Sequence, residues 1–214
     1  MSLFDKLKNK ATGAVNQTAR STVNQATKTA GQAAGNIIKG SNKSVQVVFN
    51  SMPETVSEFT ALPQAQLSTP FDTAALFVAA LCVYPLNKDE CVAMINHLKG
   101  PAPLGTPDIQ FLTTRMQQNN KAGFLGASYF DGATAANDYA PSEPFTVTVS
   151  ENPYSYDNAG YAKVFVKSGG ADTPRAITSR QAKDGKWYLW EYSSILVDIL
   201  SPESTNVWST REFI

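Results

Sequence analysis

The chain has 214 residues, a formal net charge of zero, 43% hydrophobic residues, two cysteines and one histidine. That length fits one domain with an extension, or two small domains. Cys82 and Cys91 lack CxxC spacing, which speaks against a zinc site and against a disulfide scaffold; buried free thiols in a reducing cytoplasm are expected.

The neutral total hides an asymmetry. Residues 1–44 carry seven basic residues against Asp5, a net +6, while the remainder carries eleven basic and seventeen acidic residues, a net −6. A basic arm, 1–44, is therefore expected ahead of a compact domain, 45–214. Such an arm meets an anionic surface, folds back on its own acidic body, or merely solubilises a thin helix.

Small or apolar residues in the arm recur at helical steps: Phe4, Leu7, Ala11, Val15, Ala19, Val23, Ala26, Ala30, Ala33 and Ile37. The stripe is mostly alanine, so its burial yields little, and the arm is expected to be helical only against a partner, otherwise disordered. Leu3, Phe4 and Leu7, interleaved with Lys6, Lys8 and Lys10, form its one strongly amphipathic turn. That turn suits weak peripheral contact with the inner membrane surface, or self-association. No apolar stretch follows the lysines as a signal peptide requires, and the longest apolar run, Ala74 to Tyr84, is about half a bilayer span.

After a stop at Gly40–Asn42, Val45–Phe49 is predicted as a short strand, and a short helix follows from Ser51 or Glu54 to Leu62. Thr69 as N-cap and Pro70 at the first position open the clearest core helix, Pro70–Tyr84, which is apolar nearly all round. Asn87 with Glu90 three residues on is a capping-box pattern for a helix running to about Leu98. Thr106-Pro107 starts another, Asp108–Gln118.

Beyond about residue 120 the apolar period changes from 3.6 to 2. Strands are predicted at Phe145–Val149, Tyr161–Lys167, Arg175–Ala182 and Trp187–Tyr192. Asp184-Gly185 is read as a two-residue hairpin turn, and Ile195–Leu200 as a further strand or helical turn. Helices followed by strands define an α+β domain whose helical N-terminal half packs on a C-terminal antiparallel meander.

Several runs resemble a known family: Pro70-Phe71-Asp72-Thr73-Ala74-Ala75-Leu76, Ala80-Leu81-Cys82-Val83-Tyr84-Pro85, Val149-Ser150-Glu151-Asn152-Pro153-Tyr154 and Asp184-Gly185-Lys186-Trp187-Tyr188-Leu189-Trp190-Glu191. They are similar to a bacterial domain-of-unknown-function family, the one numbered 6935, over roughly residues 52–208. The resemblance implies no activity and leaves out the arm.

No motif points to catalysis, a metal or a cofactor. His97 sits late in a helix, where an imidazolium serves the last carbonyls. The glycine-rich Ser168–Asp172 could form an anion nest, but it lacks the Walker lysine and a following helix, so a hairpin turn is expected. The carboxylate pairs Asp89/Glu90, Asp131/Asp138 and Glu143/Glu151 leave open a hydrolase-like enzyme, which would need two of them facing across a cleft.

The aromatic cluster points elsewhere. Tyr154, Tyr156 and Tyr161 lie in or beside one loop, and alternation places Tyr188, Trp190 and Tyr192 opposite Trp187 and Leu189. If one face packs on the helices, the other presents aromatics near Lys163, Lys167 and Arg180, a surface for a protein, peptide or glycan partner. The competing reading is that these rings cover the sheet edge. Nucleic acid is disfavoured by the net acidic body. A non-enzymatic binding or scaffold protein, tethered by its arm, is the function expected first.

Overall fold

The structure is a computed structural model and describes residues 40–205. The amphipathic turn of Leu3, Phe4, Lys6, Leu7, Lys8 and Lys10 lies outside the described residues.

Five strands, β1 (Ser44–Phe49), β2 (Phe145–Ser150), β3 (Tyr161–Val166), β4 (Arg175–Gln181) and β5 (Trp187–Glu191), form one sheet in chain order, each antiparallel to the next. Between β1 and β2 come helices α1 (Val56–Ala61), α2 (Pro70–Val83), α3 (Lys88–Lys99) and α4 (Thr106–Gln117). The fold is α+β, with helices in the first half and an antiparallel sheet gathered in the second.

Helix α2 is the centre of the body. Thr69 caps it by accepting the Asp72 N–H, and Pro70 needs no partner for a first-turn nitrogen. Its near-continuous apolar sequence matches its place: it touches all five strands, and its remaining surface meets α3 and the short 3-10 turns. Leu76, Phe77, Val78 and Leu81 are fully buried, each contributing about 1.5–3 kcal/mol of transfer free energy. Alanines at 74, 75, 79 and 80 let neighbouring backbones come close.

Asn87 caps α3 through the Asp89 and Glu90 N–H groups, but the reciprocal half of the predicted capping box is not made. Instead, the Glu90 carboxylate accepts the Val56 N–H at the start of α1. At α1 itself the reciprocal box forms, between Thr55 and Glu58. His97 also departs from expectation: its Nε2–H donates to the Ala65 carbonyl at 3.2 Å, and its ring meets Phe59 edge-on, so it ties α3 to the 3-10 turn Pro63–Gln66 ahead of α2 rather than capping its own helix.

β1 pairs β2 along its whole length, from Ser44↔Ser150 to Phe49↔Phe145, with Val47 and Phe49 buried. β2 meets β3 only at Val149↔Val166 and Ser150↔Phe165. Asp131 fills the opening above that pairing: its N–H donates to the Thr146 carbonyl, and its carboxylate accepts the Thr148 hydroxyl. At the other edge, β5 is closed by Trp187 N–H donating to Leu67 and by the Thr73 hydroxyl donating to the Trp187 carbonyl at 2.6 Å.

Two details of the β4–β5 hairpin differ from the sequence reading. Its loop has three residues, Lys183-Asp184-Gly185, closed by Ala182 N–H to Lys186 and by Gly185 N–H to Ala182, with Gly185 at φ +82°. In the strand pairing, Thr178 faces Glu191 while the adjacent Ser179 faces Leu189, so Trp190 is the extra residue of a β-bulge. The bulge turns both Trp190 and Glu191 outward and sends Tyr192 into the core, 4.8 Å from the Phe77 ring. Tyr192 therefore does not share a face with Trp190. Downstream, Ser193–Leu196 is a 3-10 turn, not a strand.

Candidate ligand-binding face

The helices cover one side of the sheet through Ala162, Val164, Val166, Ile177 and Leu189, all buried. Alternation then sends Tyr161, Lys163 and Phe165 to the other side of β3. Side chains directly opposite in an antiparallel pair share a face, so the registers Tyr161↔Arg180 and Lys163↔Thr178 bring these four together. The bulge adds Trp190, which is 45% exposed.

At the centre lies Arg180. Its Cζ is 5.6 Å from the Tyr161 ring centre and 5.2 Å from that of Trp190, and the two rings meet edge-on at 5.7 Å. Each cation–π contact at an exposed site is worth about 0.5–1 kcal/mol. Together they hold a normally mobile side chain. Among the described residues, no carboxylate pairs with this guanidinium and no acceptor bonds it. Lys163 lies one rung along, 6.0 Å over the Phe165 ring.

Beside the triad is an open groove of about 580 Å³, lined by Asp157, Asn158, Ala159, Tyr161, Thr178 and Trp190. Its first three residues belong to the β2–β3 loop, which is tied at several points. Asn152 N–H donates to the Ser155 hydroxyl, Lys163 N–H to the Ser155 carbonyl, and Tyr161 N–H to the Asn158 carbonyl. The Glu151 carboxylate accepts from Ser41 and from the Tyr156 hydroxyl.

The sequence-predicted face is thus divided. Tyr161, Lys163, Arg180 and Trp190 come together, and Lys167 is exposed just past the end of β3. Tyr156 is half-buried, edge-on to Trp187, and burial with the Glu151 hydrogen bond pushes its hydroxyl pKa up; it is a brace of the loop. Tyr188 pairs with Arg180 in register, but its ring packs against Gly100 and its hydroxyl donates to Asp184. Tyr154 is 74% exposed and makes no ring contact among the described residues. Sequence reasoning missed Asp157, Asn158 and Thr178. The turn-forming run Asp157-Asn158-Ala159-Gly160, immediately before β3, was the available signal.

Other candidates are occupied by structural tasks. In the glycine-rich turn, Gly169 N–H donates to the Ser128 carbonyl and Gly170 N–H to the Ser168 hydroxyl, which itself donates to Ser128. Those amides face the body's own acceptors. Burial pushes the Cys82 thiol up to about 12 and the Cys91 thiol up as well, so neither is a thiolate at neutral pH. The apolar void beside Cys82 has no room for a water molecule. Among the described residues, no three of the types His, Cys, Asp and Glu form a metal-holding group, and no helix is long and apolar enough to cross a membrane.

No curated protein and no solved structure matches the chain. A family model does, over residues 51–203, which takes in the four helices, strands β2 to β5 and the whole candidate face. The chain accordingly belongs to the family described as a domain of unknown function, DUF6935.

Proposed function

We propose that this protein is a non-enzymatic recognition module that binds its partner on the outer face of β3, β4 and β5, with its basic arm as a tether to an anionic surface. The observation that carries the reading is Arg180: an exposed guanidinium in cation–π contact with both Tyr161 and Trp190, without an acceptor among the described residues. The two ring contacts restrict the side chain before anything binds, which lowers the entropy cost of engaging an acceptor from outside. The arm's net +6 supports the tether, because each lysine near an anionic lipid surface adds about 1 kcal/mol of attraction.

The test uses the full chain on arrays of glycans and peptides, beside the variants Trp190→Ala and Arg180→Gln. Defined ligands retained by the wild type and lost by both variants, with each variant melting within a few degrees of the wild type, are expected. Ligands that bind both variants as well as the wild type overturn the assigned face. For the tether, the full chain is sedimented with phosphatidylserine vesicles at low and high salt, beside a Lys6, Lys8 and Lys10 to Gln variant. Salt-sensitive pelleting that the variant loses is expected, and pelleting indifferent to both overturns the tether.

A further inference from the structure

We propose that the groove beside Trp190 takes an uronate sugar, with Arg180 receiving the sugar's carboxylate. This rests on the reading of the outer sheet face as a recognition surface, and it names the chemistry of the ligand.

The first argument is the shape of the free donor. A guanidinium offers parallel N–H groups that match the two oxygens of a carboxylate. Arg180 lies in cation–π contact with both Tyr161 and Trp190, and its N–H groups, which bond no acceptor among the described residues, are left for a bidentate carboxylate. The second is the composition of the groove. Asp157 accepts, while Asn158 and Thr178 both donate and accept, a set that suits neighbouring hydroxyl groups. The exposed part of Trp190 supplies an apolar surface for the C–H side of a pyranose ring. The third is access: the groove opens broadly to solvent, so a sugar ring can lie against Trp190 without a loop having to move.

An acidic peptide fits less well. Extended peptides gain affinity from main-chain bonds to a free strand edge. β3 and β4 are interior strands, and the near edge, β5, is closed at Trp187 by Leu67 and Thr73. A nucleic acid or polyphosphate, with its closely spaced charges, fits less well again, since Asp157 stands in the groove and residues 45–214 carry a net −6. One carboxylate on a hydroxylated ring satisfies Arg180 and leaves Asp157 its own partners. Lys163, the next outward residue along β3, lies about 6.6–6.8 Å further on, within reach of a second uronate unit.

The experiment is calorimetric titration of the full chain, with amide chemical-shift mapping, using five probes. These are galacturonate, trigalacturonate, triglucuronate, a neutral galactose trisaccharide and a glutamate-rich hexapeptide. The expected result is saturable binding of an uronate at least roughly tenfold tighter than the neutral sugar. Shifts should centre on Tyr161, Thr178 and Trp190. Arg180→Lys, which keeps the charge but not the fork, should lose roughly tenfold for uronates and leave the neutral sugar unchanged. Equal affinity for free galacturonate and the trimers assigns a single-sugar site, and a gain with length that Lys163→Gln removes assigns an acidic glycan; either supports the proposal. Equal binding of the neutral trisaccharide overturns the carboxylate assignment. Tighter binding of the peptide at the same residues, or a shift at the face with no uronate binding, overturns the sugar but retains the face. No shift at the face with any probe overturns the uronate assignment, and array hits that survive Trp190→Ala and Arg180→Gln then bring down the recognition reading separately.

Discussion

The Glu90 carboxylate accepts the backbone N–H of Val56 at 2.6 Å, so a side chain in the first turn of α3 caps the start of α1. The bond is charge-assisted and partly buried, and it sits where the α1 amides lack intrahelical partners. Glu90→Ala should cost about 1–3 kcal/mol in urea denaturation, and Glu90→Gln, which keeps an accepting oxygen, distinctly less. Equal losses from the two would mean that packing, not the hydrogen bond, sets the cost.

The bulge at Trp190 makes two neighbouring aromatics unequal. Tyr192 is buried against Phe77, while Trp190 is on the outer face. Tyr192→Ala should cost about 3–5 kcal/mol, as truncation of a buried aromatic does. Trp190→Ala should cost about 1 kcal/mol or less, mostly its stacking with Arg180. A straight strand would reverse the order, so thermal melting of both variants tests the bulge directly.

How much of this was legible follows the physics of each signal. Helix α2 could be read because Thr69, Pro70 and an unbroken apolar run all act locally. The inward faces of β2 and β3 could be read because alternation is also local. β1 was visible as a strand, but its pairing with β2 joins residues about a hundred positions apart, and no local pattern reports such a pairing. The bulge was hidden because Trp190-Glu191-Tyr192 looks like ordinary alternation until the register with β4 is known. The candidate face was half legible for the same reason: composition pointed to Tyr161, Arg180 and Trp190, and only the register joined them. Tyr156 and Tyr188 looked equivalent to those rings in sequence, but Glu151 and Asp184 hold their hydroxyls elsewhere.

Alkaline conditions should weaken the fold. Burial raises Cys82 to about 12 and Tyr192 to about 12, and it raises Tyr129 as well. Unfolded cysteine and tyrosine lose their protons near about 8.5 and 10. Above those values the unfolded chain has released protons that the folded chain keeps, so stability is full below about pH 8.5 and declines as pH rises toward 12. Urea midpoints at neutral pH and at two steps above it should fall progressively. Cys82→Ala should flatten the first part of that fall, whatever its own offset in stability. Native Cys82 should also stay unreactive to a thiol reagent until the chain is unfolded.

Gly100 ends α3 at φ +57°, and a β-carbon there would lie 2.3 Å from the Tyr188 ring. Two penalties are therefore expected for Gly100→Ala. At φ +57° and ψ −118° the backbone lies outside the left-handed helical region, in a conformation open mainly to glycine, which costs a residue with a side chain about 1–3 kcal/mol. The clash adds to it, because Tyr188 is held by its hydrogen bond to Asp184 at 2.9 Å and cannot swing away without losing it. A double-mutant cycle separates the two. In a Tyr188→Ala background the clash vanishes and only the backbone penalty remains, so Gly100→Ala should be markedly less costly there than in the wild type. Equal costs in both backgrounds would show that the ring moves aside freely, and that the contact between α3 and the β4–β5 hairpin is softer than its geometry indicates.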